Sequence, residues 1–298
     1  MDQADSLRNK MALQLSDQKK HTSGNARVIA VASGKGGAGK SNFTVNFSLA
    51  LQRLGKKVLV FDLDIGMANI DILLGQSAEY TIVDMLRQRL SVWKIIAKGH
   101  EGLPFVSGGS GLNDLIEFSG DEMEYFLEQL QLIGKEYDYI FFDMPAGVSR
   151  TSLHFLLSAD QAFLVTTPEP TSVTDGYGMI KFLHVNNKNL PVCLIINRIK
   201  NKKEGSATAS NISAVCRQFL NKEIKSLIYI PDDDTVGKAV RAQTPFIAYS
   251  PDARSSAAVL QAARQYTNEL NSQEKYTEFS FTAKLRRFFT TKGRNTFG

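Results

Sequence analysis

Cysteine is scarce in this 298-residue chain, which holds only Cys193 and Cys216. Two scattered cysteines cannot build a disulfide framework or a cysteine metal cluster, so we expect the chain to work in a reducing cytoplasm. The four histidines show no metal-ligand spacing. The chain has no run of 18 apolar residues, and its polar N-terminus lacks the apolar segment of a secretion signal. Neither a transmembrane helix nor secretion is therefore expected.

A linker rich in glycine, serine and proline is also missing. Strand-like and helix-like stretches alternate from Arg27 to Leu270 without an internal repeat, and 43% of all residues are hydrophobic. This pattern predicts one α/β domain over residues 25–270. Residues 1–24 and 271–298 are then an N-terminal extension and a C-terminal tail.

The body of the chain has no surplus of positive charge. The net charge is +5, and five basic residues after Glu278 account for all of it, because the rest of the chain holds 30 basic and 30 acidic residues. Nucleic-acid binding calls for a basic face on the folded domain, so no nucleic-acid partner is expected. The five residues are Lys284, Arg286, Arg287, Lys292 and Arg294.

What the chain does have is a complete phosphate loop of the pattern G-x-x-x-x-G-K-[ST]. It lies between a β-branched run, Arg27 to Ser33, and a stretch with helical spacing of apolar residues, Asn42 to Leu54. Glycines let successive N–H groups point at phosphate oxygens, and the helix adds its positive end. Within the loop, the lysine before the serine should neutralise the β and γ phosphates, and the serine hydroxyl should bind Mg²⁺. The predicted nucleotide-contacting residues are Gly34, Gly36, Gly37, Ala38, Gly39, Lys40, Ser41 and Asn42.

A second lysine, Lys35, directly follows the first glycine of the loop. It cannot reach the γ phosphate of its own site as easily as Lys40 does. A lysine supplied by a second subunit could do so, as an arginine finger does. Spacing alone leaves two equal alternatives, a catalytic lysine acting in trans and a solvated loop lysine.

Acidic residues end two further apolar strands. Asp62 and Asp64 follow Val58 to Phe61, and Asp143 follows Tyr139 to Phe142. Ligands of open parallel sheets bind beyond the carboxyl ends of the strands, so all three acids should lie near the phosphates. Asp143 suits a role in Mg²⁺ binding, and Asp64 can orient the attacking water. Capping of a turn is the alternative for each acid.

These three motifs together resemble the deviant Walker A family of ATPases, most closely its MinD and FlhG (FleN) branch. The resemblance covers roughly residues 25–270. It implies a doubly wound, mainly parallel α/β sheet flanked by helices, ATP and Mg²⁺ as cofactors, and a homodimer that sandwiches ATP. It also implies that Lys35 crosses to the partner's ATP.

The same resemblance implies three more contacts with the nucleotide or the dimer partner. Asn197, at the end of an apolar strand, matches the position that holds adenine, and Pro231 and Asp232 match the loop over the base. Glu169 falls where the family places a residue that faces the dimer partner. The alternatives are a polar strand end for Asn197 and, for residues 232–234, the cap of a helix that begins near Val236.

The C-terminal tail contains an amphipathic pattern. Phe281, Leu285, Phe288 and Phe289 fall on one face of a helix, and basic residues lie around the other side. This is typical of an interfacial helix that binds an anionic membrane surface, and MinD-like proteins end in such a helix. A single tail should bind weakly, whereas the two tails of an ATP-bound dimer should bind much better. The alternatives are a helix docked on the chain's own core and a frayed basic terminus.

The N-terminal extension carries a short motif. Residues 2–8 resemble the segment by which FlhG proteins engage the GTPase FlhF. Gln3 and Leu7 share one helical face, and Arg8 follows, so this segment could fold against a partner. A tail without such a role is the alternative.

Taken together, the sequence predicts a slow, regulatory, FlhG-like ATP hydrolase that controls flagellar number or placement and stimulates an FlhF-type GTPase. It should be cytoplasmic and bind peripherally to the inner face of the cell membrane. In this interpretation Lys40, Lys35, Asp64 and Asp143 are the catalytic residues. The alternatives are a MinD division-site ATPase and a ParA-like DNA-segregation ATPase.

Overall fold

The computed structural model describes residues 26–64, 69–109, 120–145, 147, 150–224, 226–271 and 280–290. Within these ranges, eight strands form one sheet. The strands are β1 (Arg27–Ser33), β2 (Val58–Asp62), β3 (Ala97–Lys98), β4 (Pro104–Val106), β5 (Tyr139–Asp143), β6 (Gln161–Thr166), β7 (Val192–Ile199) and β8 (Ser226–Pro231).

The sheet has the order β3-β4-β2-β5-β1-β6-β7-β8. Every neighbouring pair is parallel except β3 and β4. Central strands such as β2 and β5 are buried over their whole length, because helices cover both faces of the sheet. The prediction of a doubly wound, mainly parallel α/β fold is confirmed.

Twelve α-helices lie within the described ranges, and none of them is both long enough and apolar enough to cross a bilayer. They are α1 (Lys40–Arg53), α2 (Ile70–Leu74), α3 (Ile82–Gln88), α4 (Val92–Ile95), α5 (Gly120–Ile133), α6 (Arg150–Ser158), α7 (Pro170–Asn186), α8 (Lys202–Leu220), α9 (Asp234–Arg241), α10 (Phe246–Tyr249), α11 (Arg254–Asn271) and α12 (Ser280–Thr290).

Two hydrophobic cores lie on opposite faces of the sheet. Under α1 and α11 the core is built around aromatic rings, with Phe47 in edge-to-face contact with both Phe163 and Tyr266. Phe43 stacks on Phe47 at a centroid distance of 5.1 Å. This packing fixes α1 against the sheet, and with it the loop that precedes α1.

Helix α12 packs on the other face, against α5 and α6. Phe281 and Leu285 are fully buried there, and the Phe281 ring lies 5.1 Å from that of Phe142 on β5. Phe288 and Phe289 contact the ring of His154 on α6. The apolar face that suggested a membrane anchor therefore faces the domain in this structure, because the core offers it the same apolar surroundings as a bilayer does. This is the docked arrangement that the sequence left open.

Two ion pairs hold the polar side of α12 to the domain. Lys284 Nζ lies 3.1 Å from Asp160 Oδ1, and Arg286 Nη2 lies 2.5 Å from Glu124 Oε1. The division into a domain at 25–270 and a tail at 271–298 stays a prediction. The helical part of that tail nevertheless packs as part of the domain.

Candidate functional site

The phosphate loop connects β1 to α1, as the sequence predicts. Gly39 precedes α1 with φ 92°, a left-handed conformation that favours glycine, and no side chain caps the helix start. A Cβ at Gly39 would collide with the side-chain amide of Asn197. The first N–H groups of this 14-residue helix are thus available to a bound anion.

Four side chains meet directly behind the loop. Lys40 Nζ donates to Asp143 Oδ2 at 2.8 Å, and Ser41 Oγ donates to the same oxygen at 2.5 Å. Thr44 Oγ1 donates to Asp143 Oδ1 at 3.0 Å. Asp143 is fully buried at the end of β5, and Lys40 is nearly so. The structure therefore joins the lysine, the hydroxyl and the carboxylate that the sequence assigned to the phosphates and Mg²⁺.

The residues at this position fit Mg²⁺. The Ser41 hydroxyl and the Asp143 carboxylate present adjacent oxygen atoms, and Mg²⁺ prefers oxygen ligands. Lys40 lies at the same point, so its ammonium group is placed to neutralise phosphate oxygens that arrive over the start of α1.

Asp62 is a site residue for which the sequence provided no separate role. It is fully buried at the end of β2, where it is the register partner of Asp143 on β5. Its carboxylate accepts hydrogen bonds from the backbone N–H groups of Asp64, Asn69 and Ile70. Asp62 thus holds both ends of the segment that contains Asp64.

Burial and the charge of Asp143 raise the pKa of Asp62 to about 7, and its backbone hydrogen bonds oppose this rise only in part. Burial also raises the pKa of Asp64, while the positive charge of Lys40 lowers it. Asp64 is half-buried at the mouth of the site, so its carboxylate is near the phosphate loop yet open to solvent.

A pocket beside the loop brings together five of the residues that the sequence assigned to the nucleotide. Asn197 is one of them, and its amide donates to the Ala38 carbonyl at 2.8 Å. The lining residues are Gly39, Asn42, Phe43, Asn197, Arg198, Ile230, Pro231, Asp232, Asp233, Val236 and Phe246. Apolar walls with a few polar groups suit a flat heterocyclic base.

Sequence reasoning missed two walls of this pocket. Arg198 lies in the left-handed region with φ 57°, at an irregularity in the pairing of β7 with β8. Its position next to Asn197 is a signal that could have found it. Phe246 comes from α10, which is held by a hydrogen bond from Ile247 N to Asn46 Oδ1 of α1 at 2.9 Å. That contact spans 201 residues, so no local pattern reveals it.

The first two acidic residues after Pro231 have different roles. Asp232 lines the pocket, whereas Asp233 caps α9 and accepts hydrogen bonds from Thr235 and Ser255. Burial raises the pKa of Asp233, but these hydrogen bonds outweigh it and hold the pKa near 2. Asp233 is therefore a helix cap, which is the alternative that the sequence offered for residues 232–234.

Glu169 does not line the base pocket. It precedes α7, and its Oε2 lies 3.4 Å from Lys35 Nζ, which also donates to Thr171 Oγ1 at 3.3 Å. Lys35 and Glu169 are both well exposed, so their side chains lie at the rim of the site rather than inside it. The structure thus places Glu169 with Lys35, whereas Asp143 is paired with the other loop lysine, Lys40.

Gln3, Leu7 and Arg8 lie outside the described residues. Phe281, Leu285, Phe288 and Phe289 lie on α12, against α5 and α6, and take no part in the nucleotide site.

Comparison with known proteins agrees with this geometry. Residues 25–267 match a family model described as ParA, NUBPL iron-transfer P-loop NTPase. The chain is 31% identical over 239 residues to the antiactivator FleN of Pseudomonas aeruginosa, covering 80% of this chain and 85% of FleN. It is 33% identical over 252 residues to the flagellum site-determining protein YlxH of Helicobacter pylori, covering 84% of each.

Among solved structures, the septum site-determining protein MinD from Pyrococcus horikoshii, complexed with Mg-ADP, superposes with a TM-score of 0.66. The two chains are 25% identical, and the match covers 83% of this chain and 98% of MinD. Together with the phosphate loop and its acidic partners, these matches show that the chain belongs to the ParA/MinD family of P-loop ATPases, enzymes that use ATP and Mg²⁺.

Proposed function

We propose that this chain is an FlhG-like regulatory ATPase that controls the number or placement of flagella. ATP binding closes a homodimer and favours membrane association, and slow hydrolysis reverses both. The flagellar role is supported by the similarity to the antiactivator FleN and to the flagellum site-determining protein YlxH, each over at least four fifths of the chain.

The contact cluster of Lys40, Ser41 and Asp143 carries the ATPase part of the proposal. Lys40 neutralises the β and γ phosphates, and Ser41 and Asp143 hold Mg²⁺, which supplies further positive charge at the phosphates. Asp64 orients the attacking water, and Asp62 positions Asp64 through its hydrogen bonds to the segment that follows. Asn197, Pro231 and Asp232 contact the base.

Lys35 acts in trans in this proposal. Its ammonium group lies at the exposed rim of the site beside Glu169 and Thr171, about half accessible to solvent, and it contacts neither Asp143 nor Ser41. A lysine in this position can be presented to the ATP of a second subunit with little rearrangement. Glu169, next to it, then faces the dimer partner.

Membrane association requires α12 to leave its site on the domain. Burial of a large apolar side chain contributes roughly 1.5–3 kcal/mol. Phe281 and Leu285 can be buried either in the domain core or in a bilayer, so both sites provide this stabilisation. The ion pairs of Lys284 and Arg286 with Asp160 and Glu124 can be exchanged for anionic headgroups. Docking and membrane binding of α12 are therefore alternatives, and a dimer with two released helices binds more tightly than a monomer.

Sedimentation with anionic vesicles tests this proposal. The wild-type protein should sediment more with ATP than with ADP. Asp64→Ala should bind ATP, stay dimeric and sediment at least as well, but fail to hydrolyse ATP, because water positioning is needed only for the chemical step. Sedimentation that does not depend on the nucleotide, or normal hydrolysis by Asp64→Ala, would contradict the proposal.

A MinD-like division ATPase is the second candidate, favoured by the superposition on MinD. It gives no role to residues 2–8, and co-purification with an FlhF-type GTPase, with and without residues 1–20, separates the two. A ParA-like DNA-segregation ATPase is less favoured, because the charge of the body is balanced.

A further inference from the structure

Trp93 is the single tryptophan of the chain, and 47% of its surface is exposed. It lies on α4, whose other apolar residues Val92 and Ile95 are buried. Single exposed apolar residues are common on protein surfaces, so Trp93 gains significance only from its neighbours. Tryptophan is nevertheless enriched at protein interfaces and at membrane surfaces, where one end of the ring is apolar and the other is wet.

Three basic residues lie close to Trp93 in the sequence. Arg87, Arg89 and Lys94 are all exposed, and none of them forms an ion pair with any residue that the structure describes. We call Trp93 and these three residues the Trp93 patch. Asp84, the acid on the preceding helix, is engaged by Thr81 and Gln88 instead.

Aromatic rings hold two of these cations in place. Arg89 lies over the ring of Tyr125 at 4.9 Å, and Lys94 lies over the ring of Tyr80 at 4.6 Å. Tyr125 in turn donates hydrogen bonds to the carbonyls of Arg89 and Leu90. These contacts orient the positive charges but leave them without a negative partner.

The patch shares a face of the sheet with α12. Both α3 and α4 pack against α5, and α12 packs against α5 as well. The buried residues of α3, α4 and α12 belong to the same core, so the patch and α12 lie on the same side of the sheet.

We propose that the Trp93 patch is a second contact with an anionic lipid bilayer, in addition to α12. This rests on the proposed membrane association. Tryptophan favours the boundary between headgroups and acyl chains, and nearby basic residues are attracted to anionic headgroups. While α12 is docked, Lys284 and Arg286 are paired with acids of the domain, so the patch is the surface that meets the bilayer first. A lone tryptophan with three cations on a charge-balanced body favours a bilayer over a nucleic acid.

The fluorescence of Trp93 tests this proposal directly, because the full chain has no other tryptophan. With ATP and vesicles of mixed phosphatidylglycerol and phosphatidylcholine, emission should shift to shorter wavelength. Brominated acyl chains in the same vesicles should quench it. Vesicles of phosphatidylcholine alone should give neither effect.

Two double variants that remove the same positive charge from different surfaces test the role of the basic residues. Each basic residue near an anionic surface contributes about a fivefold factor in affinity, so Arg87→Gln/Lys94→Gln should weaken binding to the anionic vesicles roughly 25-fold for each protomer that contacts them. Lys202→Gln/Lys203→Gln removes the same charge from exposed positions on α8 and should have little effect. Both variants should keep wild-type ATP hydrolysis.

The outcomes separate the two proposals. If the wild-type protein does not sediment with anionic vesicles, membrane association fails and this inference fails with it. If the protein sediments but Trp93 emission neither shifts nor is quenched, only this inference is wrong. An emission shift on adding ATP without vesicles, or on adding a DNA oligonucleotide but not vesicles, would assign the patch to a second copy of the chain or to nucleic acid instead.

Discussion

Two lysines five residues apart in the phosphate loop occupy opposite environments. Lys40 is buried and paired with Asp143, whereas Lys35 is exposed and paired with Glu169. Removal of a buried partner is costly, because it leaves the other charge uncompensated, while an exposed ion pair contributes little. The two residues therefore provide matched variants within one loop.

We expect Lys40→Ala to lose ATP binding, because the β and γ phosphates lose their main counter-charge. Lys35→Ala should still bind ATP but hydrolyse it poorly, because its role is in the partner's site. Isothermal titration calorimetry with ATP and a phosphate-release assay measure both effects. Unchanged ATP affinity of Lys40→Ala would show that the phosphate-loop assignment is wrong.

The pair of Asp62 and Asp143 makes the stability of the nucleotide-free protein depend on pH. The pKa of Asp62 is about 7 in the folded chain and about 4 in an unfolded one, so the folded state binds the extra proton between these values. The free energy of unfolding should therefore fall as the pH rises from about 4 to 7. Above pH 7 this contribution is lost in full.

Asp62→Asn should remove that dependence. Melting temperatures of wild type and variant, measured in EDTA between pH 5 and 8, should be most alike at pH 5, where Asp62 is largely protonated, and should differ most at pH 8, where the variant should be the more stable protein. Asp121→Asn, an exposed change on α5, should follow the wild-type curve. Parallel curves for wild type and Asp62→Asn would mean that Asp62 stays ionised throughout.

The predicted residues that the structure brings into contact behind the phosphate loop are those with a local pattern. Lys40, Ser41 and Asp143 are found from a glycine loop and a strand that ends in an acid, because parallel strands carry such residues to one edge. Phe246 and the role of Asp62 were missed, since they depend on contacts between distant segments. Glu169 was assigned from resemblance to a position that faces the dimer partner, and this assignment stays a prediction; within the chain Glu169 pairs with Lys35.

At the scale of single elements, α12 shows the limit of an amphipathic pattern. Its apolar spacing predicts correctly that one face will be buried, but a core and a bilayer satisfy that face equally. The ion pairs of Lys284 and Arg286 with the domain depend on Asp160 and Glu124, which lie more than 120 residues away. Hence the sequence could give the helix and its face, but not the surface that it contacts.

Phe281→Gln should both destabilise the protein and reduce vesicle binding, because the same side chain serves the docked and the released helix. Loss of a buried phenylalanine costs about 3–5 kcal/mol, which lowers the melting temperature by several degrees. Ala283→Gln, on the exposed side of α12, is the matched control and should change neither. The measurements are thermal unfolding and vesicle sedimentation with ATP. Reduced stability with unchanged sedimentation would assign Phe281 to the core alone.

At the scale of the whole molecule, the alternation of strands and helices determines the fold class, because parallel strands need helical crossovers. The fold class, the position of β1 and the placement of α1 could thus be predicted. The antiparallel edge strand β3 could not, since two residues carry no periodic signal.

The most discriminating prediction concerns residues 1–20, because only the FlhG-like interpretation gives them a function. A synthetic peptide spanning Met1 to Lys20 should raise the GTP hydrolysis rate of an FlhF-type GTPase without the rest of the chain. Gln3 is the candidate for orienting water near GTP, as glutamines do in other GTPases, and Leu7 and Arg8 would anchor the peptide. Gln3→Ala should therefore reduce stimulation more than binding, and Leu7→Ala should reduce binding.

A phosphate-release assay gives the stimulation, and fluorescence anisotropy of a labelled peptide gives the binding. A peptide with the same residues in scrambled order controls for composition. If the native peptide neither binds nor stimulates, the proposed link to the GTPase is wrong, and the MinD-like division ATPase becomes the better interpretation. If it binds without stimulating, the extension is a docking segment, and Gln3 has no role in orienting water.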